Sequence, residues 1–326
     1  MAERRWEAIT GIAGTVLRFL MAAIFALAGC GAVLAQEADS AAGSDLLRYL
    51  FKAPLGEDIV QAIETGTYLR VGEDDLVIRW SHEVVLRMQE HEPPDILRGT
   101  FQLRNVINLQ NADRDLYYLI AKAIEGQTYP LEMADFGIAV ETDWPGMQAR
   151  ITERLPGLTD AMTASSIRAA LPLFADGTVA ALRPVNTLGL AYVLGFRRDG
   201  EIHSRTDVGP LSYFGVENAV VHTTGGLGEE EGDLVINWLV EPDPQAATAK
   251  LGTELRALAR TADAQLGTES SSIIDTALAE GLVAGEEGHA IYDLEPGLMR
   301  EIEFTAWITT EMVERFIRYK MMRLAP

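Results

Sequence analysis

The chain has 326 residues, 48% of them apolar and 23% charged, and a formal net charge of −21. That apolar content argues against a disordered chain, and the acidity, uninterrupted by any basic stripe, argues against nucleic acid as a partner, because a phosphate backbone would be repelled. Anionic lipid surfaces are disfavoured for the same reason, and the plain meaning of such charge is solubility.

The first distinctive stretch is FLMAAIFALAGC, Phe19 to Cys30. It follows a segment in which Arg4, Arg5 and Arg18 outweigh Glu3 and Glu7, and no charge interrupts the run from Phe19 to Ala35. A positive leader, an apolar core and small residues at its end are the parts of an export signal. A permanent spanning helix needs about 20 apolar residues, so this run is marginal as an anchor. Three readings stay open: cleavage before Cys30 with lipidation of its thiol, cleavage after Ala35 to give a soluble periplasmic protein, and an uncleaved anchor. Cys30 is the only cysteine, so no intrachain disulfide can form and the body must be stable through packing alone.

Residues 36–45 (QEADSAAGSD) have the small, polar, acidic composition of a flexible tether. Leu46 to Phe51 is a short apolar cluster. Gly56 to Thr65 reads as a helix with Ile59, Val60 and Ile63 on one side, ended by Gly66. Leu76 to Met88 is rich in β-branched residues and reads as one or two strands with a break near Ser81-His82-Glu83, stopped by Pro93-Pro94. Ile96 to Ile124 contains a long, weakly helical run, in which Leu116, Leu119, Ile120 and Ala123 follow helical spacing. Phe136 to Val140 is a short strand before the turn at Trp144-Pro145-Gly146, and Ile151 to Ala175 alternates helical pieces with Pro156-Gly157 and Pro172.

Leu190 to Phe196 and Glu201 to Val208 flank Asp199-Gly200, a hairpin signal because glycine accepts the positive φ of the turn. Leu211 to His222 and Leu234 to Val240 add strands. After Pro242 and Pro244 the character changes, with helices expected over Ala246 to Leu266 and Ser271 to Leu282. A last helix is expected from Thr309 or Thr310 onward: Glu311 and Glu314 sit early and Arg315, Arg318, Lys320 and Arg323 late, which complements a helix dipole. Met312, Val313, Phe316 and Ile317 would form its apolar face.

The expected fold is therefore α+β, a central antiparallel sheet with flanking helices and a helical C-terminal part. Its divisions are a signal peptide over 1–29, a tether over 30–45, an α+β domain over 46–242 and a helical part over 243–326 packed on the same body.

Chemistry is sparse. His82-Glu83 and His91-Glu92 invite a metal reading, with His203 a further candidate ligand, since imidazole and carboxylate suit zinc. The metalloprotease pattern, however, needs two histidines four apart on one helix face, whereas these are nine apart on a strand-like run. Surface charges at a strand end are the plainer account. His222 and His289 are solitary. Thr223 to Gly228 (TTGGLG) lacks the Gly-Lys-Ser/Thr ending of a phosphate loop and runs into Glu229-Glu230-Glu231, so it reads as a mobile acidic loop, with a calcium site using Glu231 and Asp233 as the sharper alternative. No Gly-x-Ser-x-Gly elbow occurs, and no catalytic residues or cofactor are assigned. Trp80, Trp144, Trp238 and Trp307 either line a groove or sit in the core.

Leu27-Ala28-Gly29-Cys30 resembles the lipobox of bacterial lipoproteins. The resemblance implies diacylglycerol modification of Cys30, and Gly31, not being aspartate, implies outer-membrane attachment facing the periplasm. Together with Val77-Ile78-Arg79-Trp80 and Arg198-Asp199-Gly200-Glu201-Ile202, the layout is similar to a proteobacterial family of lipoproteins of unknown function. That family's cysteine and His-Glu elements are absent around Ile273 to Leu282, so the resemblance implies an address and no activity. The expected function is envelope-anchored binding of a partner protein or cell-wall component, with the membrane reached through the N-terminal lipid. The alternatives are an exported metal-dependent hydrolase and a periplasmic solute-binding protein.

Overall fold

The structure is a computed structural model, and it describes residues 46–47, 54–71, 74–92, 96–134, 139–171, 196–197, 203–211, 216–228, 232–249, 252–253, 256, 260, 270–279, 281–294, 298–310 and 313–324. The leader with Cys30, the tether, the Asp199-Gly200 turn and Glu229 to Glu231 lie outside the described residues.

The strands are β1 (Leu46–Leu47), β2 (Asp58–Val71), β3 (Asp74–Glu92), β4 (Ile96–Gln110), β5 (Thr128–Ala134), β6 (Ala139–Thr142), β7 (Phe196–Arg197), β8 (His203–Leu211), β9 (Val216–Leu227), β10 (Asp233–Glu241), β11 (Val283–Asp293), β12 (Leu298–Thr309) and β13 (Val313–Arg323). The helices are α1 (Leu116–Ile124), α2 (Trp144–Arg154), α3 (Ala161–Ala170) and α4 (Ser270–Ala279). Eleven strands form one antiparallel sheet in the order β6-β5-β4-β3-β2-β13-β12-β11-β10-β9-β8. The chain meanders outward from β2 to β6, then returns from β8 to β13, whose pairing with β2 closes the ladder at the centre.

This overturns the expected fold class. Sheet dominates, and the stretch expected as a final helix is β13, paired along its length with β12 and β2. Its residues alternate: Arg315, Ile317, Tyr319 and Met321 are buried while Phe316, Arg318 and Met322 are exposed, the period of two that a strand presents. A well-placed sequence of charges along a helix is worth only tenths of a kcal/mol per group, too little against two full ladders of backbone pairing. Gly56 to Thr65, also expected as a helix, forms most of β2 instead, and Ile96 to Gln110, the first half of the helical run expected to reach Ile124, is strand β4. Ile59 and Ile63 are four apart, a spacing that suits both periods. Strand β3 runs as one strand, and the break expected near Ser81-His82-Glu83 is a register shift between Ser81 and Glu83 rather than an interruption. That irregularity falls on the pairing with β4, where Asn105 takes φ 54°, a left-handed conformation that asparagine tolerates.

The glycine-bearing TTGGLG stretch is no loop; all six residues but Gly228 lie in β9. The segment Phe196–Arg197 pairs with Leu46–Leu47, and β8 pairs with β9.

Helices begin where side chains cap them. Asp115 accepts from the Tyr118 amide at 2.8 Å, Asp143 from Gly146 at 2.9 Å, Asp160 from Thr163 at 3.0 Å and Asp243 from Ala246 at 2.8 Å, the last opening a helical turn over 244–249. Each satisfies a backbone donor the helix cannot. Helix α1 packs on β4 and α2. Its Tyr118 ring meets Trp80 edge-on at 6.0 Å.

Candidate binding face

The sheet has two chemically opposite faces, and strand alternation assigns residues to each. On the inner face one cross-strand row runs Trp238, Gly288, Phe304, Tyr319, Thr65, Trp80. Phe304 and Tyr319 stack at 5.1 Å. Gly288 is required here: a Cβ would lie 2.4 Å from the Trp238 ring and 2.6 Å from Phe304 Cβ. The Trp238 indole donates to Glu286 at 2.8 Å, which gives a buried carboxylate a partner. The neighbouring row runs Ile236, Ala290, Ile302, Met321, Ile63, His82. Among the described side chains this face is largely apolar and buried.

Polar residues interrupt it: Glu286 and Arg315 are buried there, and Gln61, His82 and Arg323 carry buried polar atoms without a partner. Gln61 is 0% exposed and neither amide atom has a partner. His82 is 3% exposed, stacks on Trp80 at 4.7 Å, and has no partner for either nitrogen. Burial lowers its pKa to about 3, so the imidazole is neutral. Arg323 stands opposite Gln61 on β13; it pairs with Asp293, yet its Nη1 is buried and unpartnered. At the same end of the sheet, Arg300 binds Asp233 at 2.5 Å and 3.0 Å.

The outer face is laced with ion pairs between adjacent strands: Arg104 with Glu83, Arg87 with Asp58, Arg98 with Glu132, Arg79 with Glu64, Arg70 with Glu314, and Arg318 with Glu303. Hydrogen bonds from Asn105 and then Arg104 hold the Glu83 carboxyl below the usual range, and Arg318 does the same for Glu303. Among these charges runs an aromatic stripe, Trp307, Phe316 and Tyr68 in one row, with the Trp307 ring lying against Gly285.

The residues singled out as metal ligands are dispersed by the fold. His82 points inward, while its neighbour Glu83 faces outward to Arg104. His91 is nine residues further along the same strand, about 30 Å at strand rise, and His203 is on the edge strand β8, seven ladder steps from β3. Among the described residues no group of three or more His, Cys, Asp or Glu could hold a metal ion. His222 is exposed, 3.2 Å from Glu241, and His289 lies opposite Glu303. Asp233, the other half of the calcium expectation, is engaged by Arg300. Trp80 and Trp238 are core residues, and Trp144 opens α2.

Gln61 escaped the sequence reading because its segment read as a helix. With a period of two, Ile59-x-Gln61-x-Ile63 marks it as a polar residue at a core position.

No known protein family and no curated protein matches the chain. A solved structure of lipovitellin, described for its lipid–protein interactions, aligns with a TM-score of 0.41 at 8% identity over 83% of this chain. The alignment spans only 25% of that chain, and a likeness this distant carries no argument about function.

Proposed function

We propose that the protein is a non-enzymatic, envelope-tethered binding protein whose wide antiparallel sheet holds an apolar, acyl-type ligand on its inner face. The tether in this reading is the lipobox-like leader, with acylation at Cys30 or retention as an anchor. The observation that carries the reading is the division of the sheet: a wide aromatic and aliphatic inner surface behind an outer one crossed by inter-strand ion pairs. An apolar ligand suits the first, because burying hydrocarbon contributes about 0.8 kcal/mol per methylene. The test is native mass spectrometry and organic extraction of the full-length chain purified from its host. A stoichiometric acyl lipid supports the reading, and an empty protein that also fails to displace a fluorescent fatty-acid probe refutes it.

A second reading, binding of a partner protein, is favoured by the outer stripe, where Phe316 is 36% exposed beside the Tyr68 ring at 6.1 Å. Aromatic side chains at a surface are the residues that anchor protein interfaces. Loss of a co-purifying envelope protein in Trp307→Ala, with lipid content unchanged, would favour this reading over the first.

A further inference from the structure

The outer face carries one row that breaks its polar character. Register runs it across the strands as Gly285, Trp307, Phe316, Tyr68 and Val77, from β11 to β3. Neighbouring strands lie about 4.8 Å apart, so the row is about 19 Å long. It is one side chain wide. The next row on one side is Val283, Thr309, Glu314, Arg70 and Asp75, and on the other Glu287, Thr305, Arg318, Gly66 and Arg79. Each arginine in these flanks is engaged, Arg70 by Glu314, Arg318 by Glu303 and Arg79 by Glu64. The charges left over are negative. Asp75 and Glu287 are exposed and have no hydrogen bond or ion pair among the described residues. They stand beside opposite ends of the row and on opposite sides of it.

We infer that this row receives a basic amphipathic helix of a partner protein, laid across the strands; this rests on the reading of the outer stripe as a partner surface. The shape selects the element. An added strand pairs at a sheet edge through its backbone, not across a face. A second sheet brings several apolar rows into contact, and here there is one. A helix with apolar residues at i, i+3, i+4 and i+7 presents a single stripe, and about 13 residues of it span the row. The charge selects the sign. Lysine or arginine beside such a stripe would meet Asp75 and Glu287, and a net charge of −21 steers a basic partner toward this chain. A second copy of the chain is disfavoured twice. It would bring the same unpaired carboxylates, and so narrow a strip falls short of the roughly 800 Å² per partner of a stable interface. Trp307 and Phe316 are the anchors: Phe316 is 36% exposed, and the Trp307 ring lies over Gly285.

The test is isothermal titration of the full-length chain with three synthetic peptides of about 14 residues. One has leucine and lysine in the helical spacing, one leucine and glutamate in the same spacing, and one the leucine–lysine composition in strand alternation. Wild type is expected to bind the first about tenfold or more tightly than either other, with affinity falling as salt rises. Trp307→Ala and Phe316→Ala, with thermal melts confirming that each folds, should each weaken it about tenfold or more. Asp75→Asn with Glu287→Gln should weaken it about threefold or more at low salt, while the same loss of charge at Glu57 and Glu153, exposed and away from the row, should stay within about twofold. Equal binding of the helical and strand-alternating peptides, equal binding of the lysine and glutamate peptides, or an affinity untouched by both aromatic variants overturns the helix site. If an envelope protein nonetheless co-purifies with wild type and is lost in Trp307→Ala, the partner reading stands without it. If wild type binds no peptide and co-purifies no such protein, both fall.

Discussion

The two faces of this sheet are built from the same strands and answer to different physics. Inward, Trp238, Phe304, Tyr319 and Trp80 sit in one row around Gly288, and stability follows from packing. Outward, arginine and carboxylate meet on neighbouring strands at half-exposed positions, where solvent screening leaves each pair worth about 0.2–1 kcal/mol. A period-two side-chain pattern lets one chain carry both surfaces, and the ligand binding proposed above is assigned to the inner one.

The largest expected effect lies in the core. Phe101→Ala should cost about 3–5 kcal/mol, whereas Ile107→Ala, on the same strand but 51% exposed, should stay within about 0.5 kcal/mol. Chemical denaturation of both variants compares the faces directly. Similar losses in the two would break the distinction.

Gly288→Ala comes next. Its new methyl group would meet the Trp238 ring, Phe304 Cβ and the Glu303 carbonyl, and overpacking of this kind costs about 1–3 kcal/mol. A melting temperature equal to wild type would mean that the aromatic row is looser than described.

A third effect is a pH dependence. His82 has a folded pKa of about 3 against 6.5 in the unfolded chain. Between those values the unfolded state binds the extra proton, so stability is full above about pH 6.5 and falls as pH drops toward 3, by up to about 1.4 kcal/mol per unit. Denaturation at pH 7 and pH 5 should show this loss, and His82→Phe should flatten it over that interval. Glu83 and Glu303, held low by their partners, lose their stabilisation only below the ordinary carboxylate range. The smallest effect belongs to the outer face: Arg318→Ala should change stability by less than about 1 kcal/mol and lose even that at high salt.

Parts of this organisation were legible in the residues. Leu76 to Met88 reads as strand because β-branched residues crowd it, Leu116 to Ala123 as helix because its apolar spacing fits only one period, and Leu234 to Val240 as strand from composition. What misled were stretches compatible with two periods. Ile59 and Ile63 suit either, and β13 carries a charge order that a helix would favour, so local signals pointed away from pairing that only the distant strands β2 and β12 supply. The polar interruption of the inner face was hidden for the same reason, since Gln61 is conspicuous only once its neighbours are known to alternate. His82 was noticed for metal chemistry, but a single adjacent residue reverses side on a strand, and Glu83 could not join it.

The most direct test uses the placement of the tryptophans. Trp80 and Trp238 are inside and Trp307 is outside, so a stearate brominated along its chain, added to the delipidated full-length protein, should quench the inner pair. Quenching that persists in Trp307→Phe and falls in the Trp80→Phe, Trp238→Phe double variant is the predicted result. Quenching that disappears with Trp307, or none at any ligand concentration, would contradict an inner face that holds acyl chains.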